Sequence, residues 1–219
     1  MQVLTLLGLG LLLGLRHAAD PDHVVAVTTI AARTRRVLPA TLLGIVWGLG
    51  HTLTLFAVGA AIIVFNWSVP PRIGLTLELC VALALVVVGL LNLKPHRHDR
   101  SELGQEPGRP PAGRAFLVGL VHGLAGSAAV ALLVLATVGD PRWAFGYLLV
   151  FGLGTLIGMA LITTGFALPV ALAMNRWAHA GRLIRVSTGA LSLAFGIWLV
   201  YQIGWLDGLF MGTPHWTAH

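Results

Sequence analysis

The chain has 219 residues, of which 57% are hydrophobic and only 10% are charged, and its formal net charge is +6. This hydrophobic share exceeds what a water-soluble domain needs for its core, so the composition predicts an all-α protein that crosses a lipid bilayer several times. The basic residues lie in short gaps between apolar segments, which argues against nucleic acid as a partner. The single cysteine, Cys80, excludes a disulfide or a thiolate metal site within one chain.

Six apolar segments are long enough to span the hydrocarbon core of a bilayer, for which about 20 residues suffice. The first one runs directly into charged residues instead of a signal-peptide cleavage site, so we interpret it as mature helix. The six predicted transmembrane helices lie at residues 3–32, 38–65, 72–94, 114–138, 143–173 and 183–206.

Residues 14–24, GLRHAADPDHV, concentrate ionisable side chains between two apolar runs. Each such side chain costs from ~2.5 kcal/mol upward at the bilayer centre, so the cluster predicts a functional site. On a straight helix Asp22 would point about 140° away from His17. Because Pro21 opposes regular helix just before it, we expect the first helix to be broken near Asp20–Pro21. The five ionisable residues are Arg16, His17, Asp20, Asp22 and His23.

These residue types favour a divalent cation. Imidazole nitrogens and carboxylate oxygens suit nickel, cobalt and zinc, and no thiolate is present to favour copper(I) or an iron–sulfur cluster. We predict His17, Asp22 and His23 as metal ligands, together with His51, which lies at a similar depth on the second span. Four further residues are candidates for supporting the ligands or lining the path of the ion: Arg16, Asp20, Glu78 and His122.

Arg16 also supports a different interpretation, in which the cluster is an intramembrane salt bridge that holds helices together. Its partners would be Asp20 or Asp22, or Glu78 on the third span at a similar depth. We favour a structural pairing for Arg16 that acts on the site indirectly.

Two motifs resemble a known family. Residues 17–23, HAADPDH, resemble the HxxxxDH signature of the nickel/cobalt transporter (NiCoT/NicO) family, and residues 49–52, LGHT, are similar to that family's LGH-S/T motif. Residues 119–127, GLVHGLAGS, resemble the compact six-span branch that includes urease-accessory-type membrane proteins. The resemblance implies a transporter, not an enzyme, with Ni²⁺ or Co²⁺ as its substrate and no resident cofactor.

The charge distribution predicts the orientation in the plasma (inner) membrane. The gaps after spans one, three and five share one side and hold eleven basic residues, whereas the opposite side has only Arg72 and Arg142. By the positive-inside rule, the loop at 95–113 is cytoplasmic and both termini are outside. The eleven are Arg33, Arg35, Arg36, Lys94, Arg97, Arg100, Arg109, Arg114, Arg176, Arg182 and Arg185.

The chain also contains a weak internal repeat. Residues 14–17 match 119–122, and residues 48–50 match 152–154, so the halves are 1–94 and 114–219, with three spans each. An odd number of spans inverts the second half in the membrane, as in many secondary transporters with a site near the midplane.

The sequence therefore predicts transport of Ni²⁺ or Co²⁺ by alternating access. Alternatives are a metal exporter and a non-transporting accessory that delivers nickel for urease or hydrogenase, with a metallochaperone or metalloenzyme maturation partner. A membrane-embedded zinc hydrolase ranks lower, because three histidines and an aspartate could hold zinc but no HExxH motif is present. His96 and His98 are interpreted as part of a solvated loop.

Overall fold

The computed structural model describes residues 2–32, 36–65, 70–94, 112–123, 137–177, 179–212 and 214–215. Over these residues the chain forms seven α-helices and no β-strand, so the predicted all-α class is confirmed. The helices are α1 (Gln2–His17), α2 (Pro21–Ala31), α3 (Val37–Phe65), α4 (Pro71–Leu93), α5 (Ala112–His122), α6 (Pro141–Arg176) and α7 (Ala180–Tyr201), which continues into a π-helical turn, Gln202–Leu206.

Several sequence-based predictions fall outside the described residues. These include His96 and His98, nearly all of the loop at 95–113, and most of the second part of the predicted span at 114–138. Of that span the structure describes residues 114–123 and 137–138. The number of spans therefore stays a prediction.

Four of the described helices, α3, α4, α6 and α7 with its π-helical turn, are long and apolar enough to cross a membrane. The bent pair of α1 and α2 forms a fifth candidate, as a broken span or a re-entrant loop. Large apolar side chains cover the outer surfaces of these helices, as at Leu53, Leu161 and Ile197, which are all exposed. Such a surface is stable against lipid, so this is a multi-pass membrane protein.

The first helical segment is broken at Pro21, as the sequence predicts. The last residue of α1 is His17, a tight turn follows at residues 18–20, and α2 starts at Pro21. The axes of the two helices differ by 52°. Proline fits the first position of a helix, because its missing N–H would have no partner there. The chain thus starts a new helix at Pro21 instead of extending the old one.

The helices pack mainly in four pairs: α1 with α6, α5 with α3, α3 with α6, and α4 with α7. The short α2 lies among α4, α6 and α7 and also touches α3. One buried apolar cluster joins α2, α3 and α6 through Val27, Trp47 and Met159. This core holds the middle of α2 against the middle of α3.

Glycines allow two of these crossings, and they do so reciprocally. A methyl group on Gly14 of α1 would overlap the backbone of α6 at Phe151, and one on Gly119 of α5 would overlap the backbone of α3 at Trp47. Neither backbone can yield as a flexible side chain could. Glycine at these positions therefore lets each helix pair approach closely.

The partner helices carry the matching glycines. A methyl group on Gly154 of α6 would overlap the backbone of α1 at Leu11, and one on Gly50 of α3 would overlap the backbone of α5 at Phe116. The crossing of α1 and α6 thus has the same close contacts as the crossing of α5 and α3, each from both sides.

Candidate metal site

Four helix segments bring five donor side chains together in the interior. His17 is the last residue of α1, Asp22 and His23 lie in the first turn of α2, His51 is in the middle of α3, and His122 ends α5. The four histidines are at most 5% exposed. The Asp22 side chain is 13% exposed. All four residues predicted as ligands are therefore in one cluster, and His122 joins them.

The helix break at Pro21 fixes the orientation of the His23 ring. In a continuous helix the His17 carbonyl would accept the N–H of residue 21, which proline lacks. Instead this carbonyl accepts the Asp20 N–H at 3.1 Å and the His23 Nδ1–H at 2.7 Å. A donating Nδ1 leaves the lone pair of His23 on Nε2. That Nε2 is buried and has no hydrogen-bond partner among the described residues, so it is available to a cation.

His17 and His51 form a close pair of donors. Their Nε2 atoms are 3.0 Å apart, while His17 Nδ1 donates to Asp20 Oδ2 at 2.8 Å. A carboxylate on the outer nitrogen is the usual way in which a metal-binding histidine is oriented. With metal–nitrogen bonds of about 2.1 Å, two ligands at right angles have nitrogens about 3.0 Å apart. Together with His23, this pair offers three ligand atoms within 4.8 Å of one another.

Asp22 and His122 form a second pair. Asp22 Oδ2 is 3.0 Å from His122 Nε2, again a separation that neighbouring ligands of one ion would have. These two residues and His23 also offer three ligand atoms within 4.8 Å of one another. The sequence predicts His122 as a residue that supports the ligands or lines the path of the ion, and the tertiary structure brings it into contact with the predicted ligand Asp22.

Two aromatic rings that the sequence did not single out flank the cluster. Trp47 lies 5.3 Å from His122 and 5.5 Å from His23, and Phe151 lies 5.5 Å from His17, measured between ring centroids. Both aromatic side chains are at most 2% exposed, so they help to exclude water. The spacing of Trp47 and His51, four residues on one helix, could have indicated the first.

The remaining predicted residues lie around this cluster. Asp20 binds His17 and is 28% exposed, which places it at the edge. Arg16 is exposed on α1, whereas the carboxylates of Asp20 and Asp22 lie against histidines. Glu78 is half-buried on α4, the helix that pairs with α7.

This arrangement can bind a cation. It gathers nitrogen and oxygen donors, with one acidic side chain among them and a second one bound to His17, in a place from which bulk water is largely excluded. Donor sets of this kind suit first-row divalent metals and not copper(I), which prefers sulfur. The assignment of these residues as metal ligands stays a prediction.

Comparisons with known proteins agree with the motifs. Residues 3–102 match the NicO family, described as high-affinity nickel-transport protein. The chain is 36% identical over 221 residues to a urease accessory protein, UreH, from Bacillus sp. (strain TB-90), and the alignment covers 96% of both proteins. No solved structure shows significant similarity.

Proposed function

Since this chain belongs to the NicO family of nickel-transport proteins, we propose that it carries Ni²⁺, or Co²⁺, across the membrane through its buried histidine and aspartate cluster. The observation that carries the proposal is the His23 Nε2 atom, a buried lone pair without a hydrogen-bond partner among the described residues. Leaving such a group unsatisfied costs about 1–3 kcal/mol, and a cation removes that cost. The ion is the substrate, and no resident cofactor is needed.

We propose alternating access between inverted halves as the mechanism. The reciprocal glycine contacts support it, because a two-fold axis that exchanges the halves would exchange the crossing of α1 and α6 with that of α5 and α3. The matching positions agree with the sequence repeat, in which Gly14 corresponds to Gly119 and Gly50 to Gly154. In transporters built this way, the substrate site lies at the interface of the repeats near the midplane. We propose this position for the His/Asp cluster, because it combines His122 of the second half with four residues of the first half.

For the orientation, we propose cytoplasmic exposure of residues 95–113 and external termini, on the charge distribution. Single cysteines introduced into a Cys80→Ala variant test this. Those at Pro70 and Asp140 should react with a membrane-impermeant thiol reagent in intact cells, and those at Lys94 and Gly113 only after lysis. All four positions are exposed in the structure. The reverse pattern would overturn the orientation.

The name of the Bacillus relative favours a second candidate, a membrane accessory that supplies nickel to urease maturation without transporting it alone. Both candidate functions use the same His/Asp cluster. A metallochaperone or a metalloenzyme maturation partner is compatible with either function. They differ in whether the purified chain alone moves the ion across a membrane.

Transport by the purified protein in sealed liposomes is the decisive experiment. A fluorescent dye that divalent metals quench is trapped inside, and Ni²⁺ or Co²⁺ is added outside. Wild-type protein should quench the dye faster than empty liposomes do, and His17→Ala should reduce quenching to that background. His215→Gln, at an exposed site, and His96→Ala should behave as wild type. Metal binding without flux would support the accessory role instead.

A further inference from the structure

We infer that the cluster holds one ion at either of two overlapping positions, and that the ion passes through by exchanging its other ligands around His23. The tri-histidine position consists of His17, His23 and His51, and the aspartate position consists of Asp22, His23 and His122. The inference rests on the proposed function, because it describes how the transported ion moves within the site.

The geometry separates the donors into two pairs with His23 between them. The Nε2 atoms of His17 and His51 are 3.0 Å apart, and Asp22 Oδ2 is 3.0 Å from His122 Nε2. The His23 ring lies 4.6 to 4.8 Å from the other three imidazole rings, whereas the rings of His51 and His122 are 6.1 Å apart. An ion drawn toward one pair therefore moves away from the other and stays near His23.

His23 can bind only one ion at a time. Its Nδ1 donates to the His17 carbonyl at 2.7 Å, so only Nε2 carries a free lone pair. Both positions need that lone pair, which makes them mutually exclusive. The protein should accordingly bind one ion, not two.

Sharing a ligand also lowers the barrier for passage. As the bonds to His17 and His51 break, bonds to Asp22 and His122 form, while the bond to His23 Nε2 remains. The ion is never stripped of protein ligands, and water completes its coordination at each position. Conduction requires sites that bind well enough to admit an ion and weakly enough to release it, which two neighbouring positions provide.

The two positions also differ in their aromatic neighbours. His17 packs on Phe151 of α6, and His122 packs on Trp47 of α3. In the repeat, His17 corresponds to His122 and Phe151 to Trp47, so the two aromatic contacts are related by the repeat. Trp47 also lies 5.5 Å from His23, the ligand that both positions share. Movement of Phe151 away from His17 would therefore uncover the tri-histidine position, while Trp47 still covers His23 and His122.

Ni²⁺ binding to the purified protein tests this, with stoichiometry from equilibrium dialysis and ligand counts from X-ray absorption. Wild type should bind one Ni²⁺. His51→Gln should retain one ion bound by two imidazoles and a carboxylate, and His122→Gln one ion bound by three imidazoles. Both should lose liposome uptake. His23→Gln should weaken binding by at least about 100-fold, the upper end of the loss when only an outer partner of a ligand is removed.

Other outcomes would overturn the inference. A single site with five ligands predicts three imidazoles and a carboxylate in both His51→Gln and His122→Gln, and separate sites predict two ions in wild type. Loss of binding in both variants, with helicity and monodispersity like those of His215→Gln, would also contradict it. If His51→Gln does not fold, His17→Gln probes the same position with the same expected count.

These results are distinguishable from failure of the proposed function. Wild-type protein that shows the expected ligand counts but no uptake would refute transport and leave the two positions standing. Protein that transports Ni²⁺ but keeps three imidazoles in His51→Gln would do the opposite.

Discussion

The crossing of α1 with α6 and the crossing of α5 with α3 share their packing but not their chemistry. Gly14 lies against α6 near Phe151 and Thr155, and Gly119 lies against α3 near Trp47 and His51, in the same relation. At these matching places the first half has a histidine and the second half has Thr155.

Both residues are fully buried, yet they satisfy their polar atoms differently. The Thr155 hydroxyl donates to the Phe151 carbonyl of its own helix at 3.0 Å, so it needs nothing from outside α6. His51 faces His17 of another helix at 3.0 Å, and its Nδ1 has no hydrogen-bond partner among the described residues. The comparison shows that both crossings need glycine for a close approach, whereas the predicted metal ligands come from several helices, mainly within residues 1–94.

We expect the largest effect on uptake from replacing His51 by threonine, the residue at the matching place in the second half. His51→Thr gives the first half the side chain of the second and removes a donor, so liposome uptake of Ni²⁺ should fall to background. Thr155→Val keeps the side-chain shape and removes only a hydroxyl bonded to its own helix, so uptake should stay within about two-fold of wild type. Equal losses in the two variants would show that Thr155 takes part in transport.

The helix break at Pro21 can also be removed. Pro21→Ala restores an N–H that can donate to the His17 carbonyl and compete with His23, so the orientation of His23 should be lost. We expect Ni²⁺ affinity, measured by equilibrium dialysis, to fall by about 10–100-fold, as when an outer partner of a ligand is lost.

Pro141→Ala is the matched control for this change. Pro141 also starts a helix, α6, but it is exposed at the chain surface, so affinity should not change. A Pro21→Ala protein with wild-type affinity would mean that the break is not needed to orient His23.

The smallest expected effect concerns the glycines at the two helix crossings. Gly14→Ala and Gly119→Ala each press a methyl group against a backbone, and such overpacking costs about 1–3 kcal/mol. The temperature of thermal unfolding in detergent should fall in both variants by similar amounts, about 2–4 °C for each kcal/mol.

Gly165→Ala serves as the control, because nothing lies within 4 Å of a methyl group there. It should leave the unfolding temperature unchanged or raise it slightly, since alanine favours helix over glycine. A large loss in only one of the two crossing variants would argue that the halves are not packed alike.

Much of the fold was predictable because it depends on local properties of the chain. The predicted spans at 38–65 and 72–94 lie within one residue of α3 and α4, since a bilayer requires long apolar segments and the backbone in lipid must bond within its own helix. The helix break followed from the missing N–H of Pro21 in the same way. Residues 143–173 likewise correspond to α6, which extends a few residues further at both ends.

The sequence by itself determined which residue types are present in the membrane, and so the preference for a divalent metal, because donor chemistry belongs to the side chains. Only the tertiary structure decided that His122 meets Asp22, that Trp47 and Phe151 cover the site, and that His23 presents Nε2. These contacts depend on how α5 and α6 pack against the helices of residues 1–94. They also depend on the His17 carbonyl, which the helix break leaves free to accept the His23 Nδ1–H. A sequence pattern does not give the distance in space between residues that are a hundred positions apart in the chain.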